Sequence, residues 1–346
     1  METRVIETRI HEEAGTNLGA ELIRRGELVA FPTETVYGLG ANGLDAAAVE
    51  KIFEAKGRPN DNPLIMHVSN KNEAKKLWGH IPKTLNALMD AFWPGPLTLI
   101  FNKSDRVPDA VTAGLPTVAV RMPQGKTANL LIRKAGVPIA APSANLSGRP
   151  SPTSASHVFR DLNGRIPLIL DGGECGFGIE STVLSLVGKP TILRPGAVTK
   201  EMIEAVIGPV ELSDCLLKPL AEGKAALSPG MKYKHYAPNA RVLVVLGEPK
   251  EAAKRISELY VQYSLEDLSC EIAATEQTAR FYRGKNYTVL GDRNEPLTLC
   301  RNLFSALREM DERAEVILAE GVNAEGTGLA FMNRLLRAAG FEIENG

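Results

Sequence analysis

The feature that most constrains the fold is the alternation of short apolar runs with amphipathic stretches along the chain. The runs are rich in β-branched residues and occupy 28–31, 64–68, 97–101, 117–122, 166–170 and 181–187. Such alternation predicts strands interleaved with helices, and therefore an α/β fold. The clearest early helix is expected over 45–56, because Asp45 suits the N-cap position and Gly57 suits a C-terminal stop. A short helix over 199–207 closes this part of the chain.

The pattern restarts near residue 241, which indicates a second domain. There we predict a strand at 242–246, helices at 249–263 and 296–310, a strand at 316–319 and a closing helix at 329–339. At about 100–200 residues per domain, the length also suggests two domains. We therefore predict a first domain over 1–210, a linker over 211–240 and a smaller α/β domain over 241–346.

Charge and cysteine usage exclude several classes of protein. The chain has 40 basic and 41 acidic side chains, a balance that argues against a protein that wraps nucleic acid. No apolar run reaches the ~18 residues of a membrane helix, and the N-terminus lacks the apolar segment of a signal peptide. The four cysteines include no CxxC pair, which disfavours a zinc site or a disulfide framework. We expect a soluble, cytoplasmic protein with no membrane contact.

The first polar motif follows the strand at 28–31. Thr33, Thr35 and Tyr37 place three hydroxyls on a predicted loop, which Gly38 and Gly40 would allow to approach a ligand closely. The glycines at 38–43 also match the spacing of the dinucleotide fingerprint GxGxxG. Six residues separate the strand from the first glycine, however, and the acidic residue expected after the next strand is missing. Dinucleotide binding is therefore a weak alternative.

Three basic side chains stand in positions that allow two interpretations each. Lys56 and Arg58, at the end of a predicted helix, could complement the helix dipole or hold a polyphosphate without a Walker loop. Arg121 lies inside an apolar strand, where an arginine is costly unless it is paired or faces a cleft. It could form a structural ion pair or a bidentate clamp for a ligand carboxylate.

Polar turns follow several other predicted strands. They are the segments APSANLSG at 141–148, ESTV at 180–183 and LRPG at 193–196. A serine hydrolase is improbable because the GxSxG elbow is missing. Ligand sites of α/β proteins form at strand ends, so hydroxyl, amide and arginine groups at successive ends indicate such a site.

In this order, PTETVYGLG, KGRPNDNPL, AVRMP, APSANLSG, ESTV and LRPG resemble the YrdC/Sua5 family. The segment SPGMKYKHYAP and the second α/β part resemble the long, two-domain Sua5 form. The resemblance implies a YrdC-like twisted open α/β domain followed by a smaller, Rossmann-like Sua5 domain. It also implies a nucleotidyltransferase that makes L-threonylcarbamoyl-adenylate and pyrophosphate from L-threonine, bicarbonate and ATP. That product is the donor for t6A modification at position 37 of tRNAs reading ANN codons.

The resemblance also assigns residues and partners. It implies a threonine pocket made of Thr35, His67, Arg121, the Ala141 backbone and Ser181. It implies ATP contacts from Arg58, Asn62, Thr117, Ser143, Ser151, Arg194 and Tyr236, while Lys56 and Asn145 would face the phosphates or the carbamate. Lys56, Arg58 and Arg194 are the cations suited to stabilise charge during transfer. Mg²⁺ is expected with ATP, its ligands being left open, and a tRNA threonylcarbamoyl transferase is expected to take the product.

The segment 228–238 supports a further hypothesis. It interleaves Met231, Tyr233 and Tyr236 with the cations Lys232 and Lys234, a composition unlike that of a free tether. We expect it to fold over the nucleotide as a strap that crosses the active site. A double-stranded-RNA-binding module stays open as a second alternative, although a net charge near zero suits weak RNA binding beside catalysis better.

Overall fold

A computed structural model describes residues 1–218 and 236–346, which form two compact units. The first unit comprises Met1–Ser147 and Ser151–Leu216, and the second comprises Gly148–Pro150, 217–218 and 236–346. Residues 219–235 lie outside the described residues, and with them most of the predicted linker and strap, including Lys232 and Lys234. The linker's path therefore stays a prediction.

The first unit is built on one sheet of 11 strands, flanked by helices. The strands are β1 (Arg4–Glu7), β2 (Val29–Phe31), β3 (Gly38–Asn42), β4 (Ile65–His67), β5 (Leu97–Asn102), β6 (Thr117–Arg121), β7 (Ile139–Ala140), β8 (Leu168–Asp171), β9 (Thr182–Ser185), β10 (Thr191–Arg194) and β11 (Glu211–Leu212). The helices are α1 (Thr8–Arg24), α2 (Ala46–Lys56), α3 (Lys71–Leu77), α4 (Lys83–Phe92), α5 (Asp109–Thr112), α6 (Lys126–Ala135), α7 (Ala155–Leu162) and α8 (Lys200–Ile207). The strand order is β1-β8-β2-β3-β7-β4-β6-β5-β9-β10-β11.

This sheet is mixed, and its mixture of directions brings the polar motifs together. Strand β6 pairs in parallel with β4 and antiparallel with β5, so His67 and Thr98 both lie opposite Arg121 in the register. Helix α2 confirms its predicted ends. The Asp45 carboxylate accepts hydrogen bonds from the first-turn backbone, and Gly57 adopts a left-handed conformation with φ of 61°.

The expectation that Gly38 and Gly40 belong to a ligand-facing loop is wrong. Both lie in β3, which pairs antiparallel with β2. A Cβ on Gly40 would lie 2.8 Å from Cε1 of Phe31 and 2.7 Å from Cγ2 of Ile139, so glycine is required there by packing within the sheet. The dinucleotide alternative falls with this finding, because its glycines must form the turn between a strand and a helix.

The second unit is a parallel α/β sheet, as predicted. Its strands are β12 (Arg241–Leu246), β13 (Cys270–Thr275), β14 (Tyr287–Gly291), β15 (Val316–Glu320) and β16 (Ile343–Asn345), in the order β14-β13-β15-β12-β16. Its helices are α9 (Pro249–Leu265), α10 (Pro296–Met310) and α11 (Gly326–Ala338). Every strand pair is parallel, and buried aliphatic side chains such as Leu243, Ile256 and Leu318 form the core. Among the described residues, no helix is long and apolar enough to cross a membrane.

Candidate active site

Arg121, the last residue of β6, is the centre of the candidate site. Its side chain is buried, and three protein acceptors hold the guanidinium. Nε donates to the Gly95 carbonyl at 3.2 Å, Nη1 to Oγ1 of Thr35 at 2.9 Å and Nη2 to Oε1 of Glu34 at 2.6 Å. A guanidinium has five N–H donors. Two of them find no acceptor among the described residues, so Arg121 is both a member of an ion pair and a potential ligand donor.

Glu34 was not among the residues that the sequence singled out, although it stands between Thr33 and Thr35 in the first motif. Its Oε2 accepts a hydrogen bond from the Gln124 backbone N–H at 3.1 Å. Burial raises the pKa of this carboxyl, but the charge and hydrogen bond of Arg121 outweigh burial and hold the pKa below its usual value. Glu34 is therefore an ionised partner of Arg121.

The hydroxyls of the first motif divide into two groups. Oγ1 of Thr33 lies 2.8 Å from Oγ1 of Thr35 and donates to the Val36 carbonyl at 2.7 Å, so Thr33 supports Thr35 at the Arg121 cluster. Tyr37 is wholly buried, and its hydroxyl donates to the Gly173 carbonyl at 2.7 Å. The expectation that all three hydroxyls face a ligand is wrong for Tyr37, whose role is to fix the loop.

His67 ends β4 beside Arg121. Its Nδ1 lies 3.1 Å from the Ile65 carbonyl oxygen, and the ring meets Phe31 edge-on at 6.2 Å. Burial first, and the neighbouring Arg121 charge second, lower the pKa of His67 to about 3. The imidazole is therefore neutral near pH 7 and adds no charge beside Arg121.

Ser181 and Arg194 lie together, as the strand-end pattern indicated. Nη2 of Arg194 donates to Oγ of Ser181 at 3.2 Å, and Nε donates to the Ser181 carbonyl at 3.1 Å. Oγ of Ser181 also lies 2.7 Å from Oγ1 of Thr98, the residue opposite Arg121 in the register. Thr98 thus links these two residues to β5, and no motif in the sequence pointed to it.

Lys56 is buried at the end of α2, and its ammonium is bound by main-chain oxygens. Nζ donates to the carbonyl oxygens of Ser143 and Asn145, the latter at 2.6 Å. The amide of Asn145 in turn donates to the Leu146 carbonyl at 2.7 Å. Lys56 thereby fixes the turn at 143–145 and places a positive charge next to its carbonyl oxygens. Its assignment to phosphates or carbamate stays a prediction.

Asn62 stands out among the residues that the resemblance assigns to ATP. Its side chain is wholly buried, yet neither its amide nitrogen nor its amide oxygen has a hydrogen-bond partner among the described residues. Burying an unpaired amide costs about 1–3 kcal/mol. A bound ligand would offset that cost by pairing with Asn62.

Residues 21–196 match the profile of the Sua5, YciO and YrdC proteins, whose description is telomere recombination. The chain belongs to this family. Residues 198–340 match a second profile, described as the C-terminal domain of threonylcarbamoyl-AMP synthase. The resemblance seen in the motifs is therefore confirmed for both parts of the chain.

Relatives of this family member are similar along nearly its whole length. The threonylcarbamoyl-AMP synthase of Pyrococcus abyssi is 49% identical, over 96% of each chain. That of Bacillus subtilis is 49% identical, over 94% of this chain and 92% of its own. The crystal structure of P. abyssi Sua5 complexed with L-threonine superposes with a TM-score of 0.93 at 46% identity, covering 100% of both chains.

The other residues that the Sua5 resemblance assigns to the site differ in solvent exposure and in their hydrogen-bond partners. Arg58 is buried, whereas Thr117 at the start of β6 is half-buried. Oγ of Ser151 donates to Oε1 of the buried Glu180, which sequence reasoning did not select. The Ala141 N–H donates to the Ile65 carbonyl at 3.0 Å and is therefore already used within the sheet.

Tyr236 lies in the second unit. Its ring is buried, stacks on Phe304 with a centroid distance of 5.1 Å, and has the Arg334 guanidinium 5.6 Å from its centroid. These contacts hold the end of the predicted strap against α10 and α11. The contact of Tyr236 with ATP stays a prediction.

Proposed function

We propose that the protein is an L-threonylcarbamoyl-adenylate synthase, using L-threonine, bicarbonate or CO₂, and ATP. The observation that carries the proposal is the Arg121 cluster, a buried guanidinium with two N–H donors that find no acceptor among the described residues. It donates to Thr35, and Thr98, opposite Arg121 in the sheet register, contacts Ser181. A planar pair of donors matches a carboxylate, and a hydroxyl-lined wall matches the threonine side chain. The relative solved with L-threonine, similar over the whole chain, supports the same substrate.

The ATP half of the proposal rests on cations and on one amide. Lys56, Arg58 and Arg194 are all buried. Asn62, four residues after Arg58, has a side chain without a hydrogen-bond partner in the part of the chain that the structure describes. Buried cations bind phosphate oxygens strongly because little solvent screens them. We assign the triphosphate to these residues, together with Ser143, Asn145 and Ser151.

The chemistry then follows from charge. The neutral amine of threonine attacks CO₂ and releases a proton, or attacks bicarbonate and releases water, to form an N-carboxylate. One oxygen of this N-carboxylate then attacks the α-phosphorus of ATP. The bond from the α-phosphorus to the bridging oxygen breaks, and pyrophosphate leaves with that electron pair. Two anions must approach each other, so the protein's contribution is positioning and positive charge. We nominate no general base.

Mg²⁺ would enter with ATP in this proposal. The described residues contain no cluster of three or more His, Cys, Asp and Glu side chains suited to hold a metal ion. Mg²⁺ commonly keeps several waters and binds phosphate oxygens, so it does not need such a cluster. When bound, it would neutralise charge on the phosphates, while this chain's own cations orient them.

The product would pass to a tRNA threonylcarbamoyl transferase for t6A synthesis, and weak RNA binding could accompany that transfer. No disulfide joins the four cysteines, which supports a reducing compartment such as the cytoplasm.

One assay tests the function directly. Purified protein should release pyrophosphate from ATP only when L-threonine and bicarbonate are both present, with threonylcarbamoyl-adenylate as the second product by mass spectrometry. Pyrophosphate release that needs neither, or no release with all three substrates, would overturn the proposal. Tight binding of double-stranded RNA by a protein without this activity would favour the RNA-binding alternative.

A further inference from the structure

The hydrogen bonds of Arg121 leave little freedom to its side chain. A guanidinium can rotate about its last bonds, and each rotation offers a different pair of N–H groups. Here the Gly95 carbonyl, Thr35 and Glu34 take one donor from each of the three nitrogens. The remaining two donors therefore belong to Nη1 and Nη2, one on each.

Glu34 is the charged member of this set, and it is itself held in place. Its Oε2 accepts from the Gln124 N–H at 3.1 Å, and its main-chain carbonyl accepts from the Phe177 N–H at 2.9 Å. The Glu34 and Arg121 side chains are only 11% and 4% exposed, so solvent screens their attraction weakly. An ordered carboxylate can fix a guanidinium, whereas a mobile one cannot.

The pair also sets the charge of the pocket. Because His67 is neutral, the negative charge of Glu34 balances the positive charge of Arg121 before any ligand binds. An amino acid in its zwitterionic form adds no net charge to this arrangement. A carboxylate that lacks an amino group would leave one uncompensated negative charge among groups shielded from water, which is unfavourable.

We propose that Glu34 is a positioning residue for Arg121 that makes the pocket selective for a zwitterionic amino acid over a simple hydroxy acid. It fixes the rotation of the guanidinium and balances its charge, without touching the reacting atoms. The inference rests on the proposed function, because it takes Arg121 to bind the carboxylate of threonine.

The test compares Glu34→Gln with Glu320→Gln, which alters a buried carboxylate paired with Arg293 in the second unit. Binding of L-threonine and of 3-hydroxybutyrate, its analogue without the amino group, is measured by calorimetry without ATP. For Glu34→Gln we expect Kd and KM for threonine to rise roughly 10- to 100-fold, with KM for ATP within threefold of wild type. The preference for threonine over 3-hydroxybutyrate should fall at least tenfold. For Glu320→Gln both affinities should stay within twofold.

Glu34→Asp keeps the negative charge but shortens the side chain by one methylene, which moves the charge away from Arg121. This variant is the alternative test if Glu34→Gln does not fold. This variant should retain the preference for threonine over 3-hydroxybutyrate, because it should weaken the binding of both ligands by about the same factor. Wild-type protein that does not bind threonine would overturn the proposed function and this inference with it. Wild-type protein that binds threonine, with a Glu34→Gln variant of unchanged affinity and preference, would overturn this inference only.

Discussion

Each unit holds a carboxylate paired with an arginine, but only one of the two carboxylates is saturated with hydrogen bonds. In the second unit, Glu320 accepts hydrogen bonds from Thr275 at 2.9 Å, Tyr282 at 2.7 Å, Arg293 at 3.1 Å and also Thr278. Four donors fill the capacity of a carboxylate. In the first unit, Glu34 has two side-chain contacts and Arg121 retains two donors.

The difference distinguishes a polar group that stabilises the fold from one that is available to bind a ligand. A saturated buried network contributes to stability and specifies one packing, so a ligand could enter it only by displacing a protein contact. An unsaturated buried group costs free energy until something pairs with it. Asn62 belongs to the second kind, because neither of its polar side-chain atoms has a partner within residues 1–218 and 236–346. The predictions below test this division.

The largest effect is expected from Arg121→Lys. An ammonium has three donors, and Glu34, Thr35 and the Gly95 carbonyl can take all three. Threonine then loses its paired donors, at a cost of about 2–4 kcal/mol, or about 30- to 1000-fold in kcat/KM for threonine. Steady-state pyrophosphate release at saturating ATP measures this.

The matched control is Arg293→Lys in the saturated network, for which we expect kcat/KM within threefold of wild type. If Arg121→Lys keeps its threonine dependence within that same threefold range, Arg121 does not bind the carboxylate.

The next effect is expected from Asn62→Ala. The variant removes a buried amide that has no partner among the described residues. The relief of that cost and the packing lost on truncation offset each other, so the free energy of unfolding should change by less than about 1 kcal/mol. ATP binding should nevertheless weaken by roughly 10- to 100-fold, because a ligand contact in a dry site is lost. Calorimetry with ATP and urea unfolding give the two numbers.

Asn302→Ala in the second unit is the control, since its amide donates to the Leu290 carbonyl at 2.7 Å. It should cost about 1 kcal/mol of stability and leave ATP binding unchanged. A stability loss for Asn62→Ala with normal ATP affinity would mean that Asn62 is structural.

A third prediction concerns Tyr282→Phe. The change removes one hydrogen-bond donor from the buried Glu320 side chain and should lower the free energy of unfolding by about 2 kcal/mol. Urea unfolding followed by far-ultraviolet circular dichroism measures the loss. Threonine and ATP affinities should stay within twofold, and a tenfold change in either would break the division between the two units.

Part of this arrangement could be predicted from the sequence. The helix α10 and the strand β12 were expected within one residue of their ends, because uninterrupted periodicity and a flanking proline or glycine mark them. The cluster at Arg121 was also expected, since polar motifs at strand ends meet in α/β folds. Strand β3 was missed, because three of its five residues are Gly or Ala and read as a turn.

The pairing of charges could not be predicted. Glu34, in the loop between β2 and β3, and Arg121, at the end of β6, are 87 residues apart, and only the folded sheet brings them together. Whether a buried polar group is saturated depends on such distant partners. Positions 34 and 320 are both glutamate, and the sequence around each does not show which carboxylate is saturated with hydrogen bonds.

The last prediction concerns acid and again separates the two units. His67 is neutral in the folded state because its pKa is lowered to about 3, whereas the unfolded chain titrates near 6.5. Below pH 6.5 the unfolded state therefore binds one proton more than the native state, and stability falls as pH falls. From pH 7.5 to 5.5 the loss from this group is about 1.4 kcal/mol.

Both tryptophans, Trp78 and Trp93, lie in the first unit and stack on each other at 6.1 Å, so their fluorescence reports its unfolding in urea. His67→Gln should remove about 1.4 kcal/mol of the difference between the free energies of unfolding at pH 7.5 and 5.5. Tyr282→Phe should leave that difference as it is in the wild type, because it removes no group that titrates in this range. If His67→Gln also leaves this difference unchanged, the imidazole is not held neutral beside Arg121. The charge balance proposed for Glu34 and Arg121 would then be wrong.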